Sequence, residues 1–238
     1  MYEDLIKKIF RVNALFIDDK QVELFDQFID ILLEQNKVMN LTAITDVEEI
    51  IVKHFVDSVL CYEKLEPDVT LIDIGSGAGF PGIPLKIMRP DLDVICVDSL
   101  AKRVDFMNLV IDKLGLEGIK AVHSRAQELH SAGVPYETGC YVVCRAVAPL
   151  NVILELGMPY LCVGGKFIAY KSKTLGEEIE QANNAMLVLN GEISDIWYYD
   201  LTKADGEVFE RNMLVVEKVD STPEGYPRGK NLIEKNPL

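Results

Sequence analysis

The sequence is short of several things, and each shortage narrows its chemistry. Its apolar runs, such as those at 50–52 and 94–97, fall far below the ~20 residues needed to cross a bilayer, so no membrane span is expected. The opening residues, MYEDLIKKIF, place acids where a secretory signal carries its basic region, and a cytoplasmic location is the expectation. Five cysteines stand at 61, 96, 140, 144 and 162 with no C-x-x-C pair and no histidine beside Cys140 and Cys144. They are expected to be buried free thiols rather than a zinc site or a disulfide framework. Basic residues are scarce: 24 Lys and Arg face 38 Asp and Glu, a formal charge of −14. Such a chain does not coat nucleic acid nonspecifically, because phosphate contacts supply that affinity. Low-complexity tracts and internal repeats are missing too, which excludes wholesale disorder and solenoid folds.

Charge is nevertheless segregated. Residues 1 to 50 hold eleven acids against five bases, whereas Arg145, Lys166, Lys171 and Lys173 face only Glu155 in the stretch 145–173. A local basic face is therefore compatible with the acidic total.

Up to about residue 65 the apolar spacing is helical: Leu5, Ile6, Ile9 and Phe10, then Val22, Phe25, Ile29 and Leu32, then Ile51, Phe55 and Val59. Thr45-Asp46-Val47-Glu48 has capping-box form, so a helix carrying His54, Asp57 and Ser58 is expected to start there. From Val69 onward, short β-branched runs at 69–73, 94–98, 119–122, 141–145 and 166–170 alternate with helical stretches, the pattern of βαβ units. Gly115 fits the end of a helix from Ala101 to Leu114. After a helix near 176–189, segments 192–199 and 211–218 read as an antiparallel pair at one edge. The fold predicted is α/β: a Rossmann-like domain (66–220) with a mostly parallel seven-stranded sheet, an N-terminal helical extension (1–65) and a tail (221–238) lying over the surface or partly disordered.

The chemistry is concentrated in Asp73-Ile74-Gly75-Ser76-Gly77-Ala78-Gly79-Phe80-Pro81-Gly82, which follows the first strand and opens a helix with Pro81 and Pro84 in its first turn. Glycines let the backbone approach a ligand, and the helix N-terminus is expected to offer unpaired N–H groups to a carboxylate. Asp98, ending the second strand, fits a ribose-binding acid for either NAD or S-adenosylmethionine. Three details favour the methyl donor, and with it the class I methyltransferase form of this fold. Asp73 stands two residues before a G-x-G-x-G run; two prolines occupy the turn where a pyrophosphate needs N–H donors; and the Tyr-x-x-x-Lys from Tyr199 to Lys203 falls in the edge hairpin.

Nearly the whole chain resembles the family of small-subunit ribosomal RNA methyltransferase G, also called glucose-inhibited division protein B. The landmarks are Asn40-Leu41-Thr42, Lys53-His54-Phe55-Val56-Asp57-Ser58, the run from Asp73 to Leu85, and Val97-Asp98-Ser99 with Lys102-Arg103. They continue through Ser124-Arg125-Ala126, Arg145-Ala146-Val147-Ala148, Lys171, Arg211, Tyr226-Pro227-Arg228 and Asn236-Pro237-Leu238. The resemblance implies S-adenosylmethionine-dependent methylation of N7 of a guanine in the decoding-region loop of bacterial 16S rRNA. It also implies cofactor contacts at Gly75, Phe80, the Ala126-Gln127 pair and Arg145. Where the family has Ala-Glu, this chain has Ala126-Gln127; the amide can still accept from an amino group through its carbonyl.

Together these readings assign Asp73, Gly75, Gly77, Phe80, Asp98, Ala126, Gln127 and Arg145 to the cofactor, and Asn40, Arg125 and Arg211 to the substrate. Arg145, His54 and Lys171 are assigned to catalysis, with no metal. The partner expected is 16S rRNA in small-subunit particles, met by a monomer. Guanine N7 carries no proton, so orientation and electrostatics suffice. The Asn-Pro-Pro-Tyr device of amino-group methylation is missing, and Cys144-Arg145-Ala146-Val147-Ala148-Pro149 stands after the fourth strand instead. Rival readings are a methyltransferase for another RNA, a small molecule or a protein; an NAD-dependent dehydrogenase; and a non-catalytic nucleotide-binding module.

Overall fold

A computed structural model describes residues 1–171 and 175–238; Lys173 lies outside the described residues. Two N-terminal helices, α1 (Glu3–Val12) and α2 (Asp19–Met39), are followed by α3 (Val47–Ile50), which runs directly into a π-helical segment, Ile51–Val56, and a last turn, α4 (Asp57–Val59). The cap of α3 is one residue later than the sequence suggested: the Asp46 carboxylate, not Thr45, accepts from the Glu49 N–H. Glu48 instead accepts from the Ala204 N–H, tying this helix to the distant edge hairpin. In the widened segment the Asp57 N–H reaches the Val52 carbonyl, five residues back. Single π turns of this kind concentrate at functional sites, and nothing in apolar periodicity announces one.

The sheet contains β1 (Thr70–Ile74), β2 (Asp93–Asp98), β3 (Ile119–His123), β4 (Gly139–Arg145), β5 (Leu161–Lys171), β6 (Gly191–Thr202) and β7 (Val208–Lys218). Their order is β3-β2-β1-β4-β5-β7-β6, parallel except for β7 against its two neighbours. This is the mostly parallel seven-stranded sheet the sequence called for. Crossovers are made by α5 (Gly82–Met88), α6 (Ala101–Leu114), α7 (Leu150–Gly157) and α8 (Leu175–Val188). Gly115 closes α6 at φ 61°.

Successive residues of the central strands feed two cores. Leu71, Tyr141, Val143, Ile168 and Tyr170 join a cluster with α1, α2, the π segment, α5 and α6; Ile72, Ile74, Val142, Cys144, Phe167 and Ala169 join α7 and α8 on the opposite face. The N-terminal helices thus share their core with the sheet. An aromatic chain makes the junction: Phe10 on Phe25 (5.3 Å between ring centres), Phe25 on Phe55 (4.8 Å), Phe28 on Phe55 (5.3 Å), and Phe28 on Phe80 (5.5 Å). Each such pair adds about 0.5–1.5 kcal/mol beyond the area it buries. The last segment is ordered: α9 (Lys230–Lys235) buries Ile233, and Tyr226 and Leu238 on either side of it pack against the second core.

Candidate active site

The strand order reverses between β1 and β4, and in open α/β sheets ligands bind at the carboxyl ends of strands at such a switch point. Two cavities lie there, of about 780 Å³ and 770 Å³, and both are bounded by the same loop, Ala146 to Pro149, that leaves β4. Ala146 holds φ 54°, a left-handed conformation costing a non-glycine residue of order 1 kcal/mol. Sustained strain of that kind marks a loop whose course is dictated by what it separates.

Gly75, Asp98, Ala126 and Gln127 line the first cavity, as the sequence predicted for four of its cofactor residues. Ser99, Arg103 and Arg125 line it as well. Arg125, expected at the substrate, is exposed on this side instead. The Asp98 carboxylate is 3 % exposed and accepts from the Gly77 N–H (3.0 Å), the Leu100 N–H (2.9 Å) and Arg103 Nη1 (3.2 Å). It therefore arrives at the cavity already oriented.

The glycine turn is closed by its own hydrogen bonds. Gly75 and Ser76 donate to the Val97 carbonyl, Gly79 and Phe80 to Ser76, Gly82 to Asp73 Oδ2 and Ile83 to Gly79, while Pro81 and Pro84 have no N–H. The expectation that this helix end offers unpaired donors to an anion is thus corrected: its N–H groups are consumed within the turn. A pyrophosphate needs several such donors, and the first turn of this helix offers none. The glycines serve packing instead. A Cβ on Gly82 would lie 2.6 Å from Cys96 Sγ and 2.9 Å from Asp73 Oδ2, and one on Gly75 would lie 2.6 Å from Val147 Cγ2 in the shared loop. At Gly77, φ 60°, a Cβ would meet open space.

Asp73 is completely buried beneath the turn, and burial, the dominant cause, raises its carboxyl to about 7. Its Oδ1 has no protein partner, an unusual state for a buried polar atom and one that suits an ammonium-bearing ligand. Oriented Asp98, the open space at Gly77, the amide of Gln127 and this unmatched oxygen all fit an aminoacyl nucleoside such as S-adenosylmethionine.

The second cavity is basic. Lys53, Arg145, Lys171 and Arg211 line it together with His54, Asp57 and Glu178. Three sequence-predicted catalytic residues and Arg211 are brought together here, although they lie on four separate elements: the π segment, β4, β5 and β7. Asp57, which sequence reasoning did not assign to the site, joins two of them, Arg145 and Arg211. Only 5 % exposed, it accepts from Arg145 Nη1 (2.7 Å) through one oxygen and from Arg211 Nε (2.8 Å) through the other. Its place three residues after His54 in Lys53-His54-Phe55-Val56-Asp57-Ser58 was the available signal. Lys171 pairs with Glu178 at 2.5 Å. Arg145 also donates to the Lys53 carbonyl (3.2 Å) and stands over the Phe80 ring at 5.5 Å; its side chain borders the basic cavity, not the first one.

His54 stacks on Phe80 (4.6 Å, 12°) with Nε2 2.9 Å from the Thr42 hydroxyl. Burial, reinforced by the charge of Arg145, lowers it to about 4, so at neutral pH it is an uncharged ring and a weak base. Phe80, expected at the cofactor, places its ring in the aromatic stack with Phe28 and His54 and lines neither cavity. Asn40 is the left-handed residue closing α2 (φ 50°) and is exposed. The neighbouring Asn36 arranges its loop, its Oδ1 accepting from the Leu41 and Thr42 N–H groups (2.7 and 2.9 Å) and so placing Thr42 against His54. Burial pushes the Cys144 thiol up to about 12, which disqualifies it as a nucleophile. Among the described residues, no group of three or more His, Cys, Asp or Glu side chains could hold a metal ion, and no helix is long and apolar enough to cross a membrane.

Comparison with known proteins places this geometry. In three dimensions the chain is similar to a precorrin-6y C5,15-methyltransferase from Geobacter metallireducens (TM-score 0.53, 12 % identity, covering 77 % of this chain and 92 % of that one). It is similarly close to M. jannaschii TYW2 in complex with AdoMet (TM-score 0.53, 11 % identity, 68 % and 77 % covered). At these identities the likeness is one of fold, that of class I methyltransferases. In sequence, it is 45 % identical over 224 residues to the ribosomal RNA small subunit methyltransferase G of Alkaliphilus metalliredigens, covering 93 % of this chain and 92 % of that protein. With residues 21–201 also matching the family model described as rRNA small subunit methyltransferase G, the chain belongs to that family.

Proposed function

We propose that this chain transfers a methyl group from S-adenosylmethionine to N7 of a guanine in the 16S rRNA of the small ribosomal subunit. The observation that carries the reading is the pair of cavities separated only by Ala146–Pro149, one suited to an aminoacyl nucleoside and the other lined by four basic side chains. When bound, S-adenosylmethionine supplies a methyl group activated by a sulfonium centre. Asp98 orients the ribose, Gln127 meets the adenine edge, and the glycine turn shapes the remaining wall.

On the acceptor side, Arg145, Arg211, Lys53 and Lys171 are positioned to hold phosphate or a base edge. Asp57 spaces the two guanidinium groups, Glu178 pairs with Lys171 and Glu49 with Lys53, so four cations face three carboxylates and the local charge stays positive even though the chain is acidic overall. Among the described residues of this cavity no side chain is poised as a strong general base. Asp57 is held by two arginines, Lys171 by Glu178, and His54 is lowered to about 4. That inventory suits an acceptor nitrogen with a lone pair and no proton to lose, such as guanine N7, where positioning and exclusion of water carry the acceleration.

The test is to map methylated nucleotides in rRNA from cells with and without the chain. One N7-methylguanine in 16S rRNA should disappear with the protein, and small-subunit particles should be methylated far better than short hairpins. An unchanged map, or equal turnover on hairpins, would overturn the assignment.

A further inference from the structure

The first cavity has a wall that neither the glycine turn nor the strand ends supply. Lys230, Ile233 and Glu234 of α9, together with Pro237, line it opposite Asp98 and Gln127. A segment about 130 residues beyond Asp98, and about 150 beyond the glycine turn, is thereby part of the same cavity's lining.

Several contacts hold the segment in place. Glu155 of α7 has no solvent exposure and accepts from Arg228 three times: from its backbone N–H (3.1 Å), Nε (2.6 Å) and Nη2 (2.6 Å). Arg228 Nη2 also donates to the Asn236 carbonyl (3.1 Å), closing the segment on itself. Farther along, Asn151 Nδ2 donates to the Leu238 carbonyl (3.1 Å). Glu155 and Asn151 both belong to the helix that starts where the shared loop ends, and Asn151, Val152 and Leu156 of that helix face the same cavity. A carboxylate buried this deeply is tolerated only with a charged, multiply bonded partner, so α7 and the C-terminal segment are registered against each other. Ala126, Val152, Leu156, Ile233 and Pro237 then form one apolar surface beside the Gln127 amide. A flat heteroaromatic ring needs that combination: a dry apolar wall against its face and a polar group at its edge.

We infer that residues 226–238 are a donor-binding element, with Ile233 and Pro237 covering the adenosine portion of the methyl donor and the Arg228–Glu155 pair fixing their position. This rests on the proposed use of S-adenosylmethionine and extends it to residues outside the glycine turn and the strand ends. The element acts on the donor and not on RNA, because it lines the first cavity and none of its residues borders the basic one.

The experiment uses the intact chain and S-adenosylhomocysteine as probe, followed by amide hydrogen exchange. Binding should slow exchange of the amides in 230–236 at least tenfold, alongside those of the glycine turn, and leave α1 unchanged. A chain shortened after Arg228 should keep its far-ultraviolet circular dichroism and lose at least tenfold in calorimetric affinity for the same probe, with binding to small-subunit particles unaltered. Should the shortened chain fail to fold, the exchange measurement on the intact chain decides. Protection of the glycine turn without protection of 230–236, or undiminished affinity in the folded shortened chain, overturns the inference. Failure of the intact chain to bind the probe at all would instead refute the assignment of the donor.

Discussion

Replacing Asp57 with asparagine isolates the group that organises the basic cavity. The carboxylate is 5 % exposed and spends both oxygens on arginines, at 2.7 Å to Arg145 and 2.8 Å to Arg211. Asparagine keeps one acceptor but turns an NH₂ toward the other guanidinium, so one charge-assisted bond is lost and the second becomes a bond to a neutral group. Charge-assisted hydrogen bonds contribute about 1.5–3 kcal/mol each, and unpairing a buried ion costs about 3–5 kcal/mol. The Arg145 and Arg211 side chains are 14 % and 27 % exposed, so water recovers part of that loss, and about 2–3 kcal/mol is expected. For a chain of this length each kcal/mol lowers the midpoint by roughly 2–4 °C, which gives a fall of about 4–12 °C in a thermal melt. Displaced guanidinium groups no longer hold the acceptor, and an error near 1 Å in position can cost ~100-fold in rate. The assays are differential scanning fluorimetry, single-turnover transfer of tritiated methyl to small-subunit particles, and calorimetry with S-adenosylhomocysteine. Donor affinity should stay within about twofold of wild type, since Asp57, Arg145 and Arg211 all lie outside the first cavity. An Asp57→Asn protein with wild-type melting and wild-type single-turnover rate would refute the clamp, and a matching loss of donor affinity would refute the separation of the two cavities.

Gly75→Val should reduce S-adenosylhomocysteine affinity at least roughly tenfold, or about 1.4 kcal/mol, by driving Val147 and the shared loop aside; calorimetry on a folded variant checks it. The single-turnover rate should be flat between about pH 6 and 9 because His54 is lowered to about 4 and is uncharged throughout. A tenfold rise per pH unit near neutrality that His54→Ala removes would instead reveal a catalytic base. Stability should carry two opposed proton linkages. Asp73, raised from 3.8 to about 7, binds its proton in the folded state and not in the unfolded state between those values, so its contribution falls as pH rises through them. His54, lowered from 6.5 to about 4, does the reverse, its contribution being lost as pH drops through that interval. Asp73→Asn removes the first linkage, so the variant's stability relative to wild type should grow from about pH 4 to 7, on the order of 1 kcal/mol per unit; urea melts showing a constant difference would sink that reading.

The sequence by itself determined the sheet, its parallel strands and its edge hairpin, because those follow from short-range patterns: a continuous apolar run in β4, a glycine turn directly after β1, Gly115 ending α6. It also supplied the individual members of the basic cavity, Arg145, Lys171, Arg211 and His54. Their grouping was decided by tertiary structure. Asp57 reads as one more polar residue on an amphipathic helix until the fold brings β4 and β7 to its two oxygens, and the π turn that presents it leaves no mark on apolar spacing. His54 looks like an ordinary titrating histidine in sequence, and its low affinity for protons arises from burial on Phe80 beside Arg145, neither of which is its neighbour in the chain. The glycine turn invited an anion, but its N–H groups are spent on Val97, Asp73 and Asp98, partners that only the folded sheet supplies. The sparsely apolar tail, read from sequence as lying over the surface or partly disordered, is fixed by a buried carboxylate on α7, some 70 residues earlier. Periodicity records what each element buries, whereas a site depends on which elements meet, and that is settled by long-range packing.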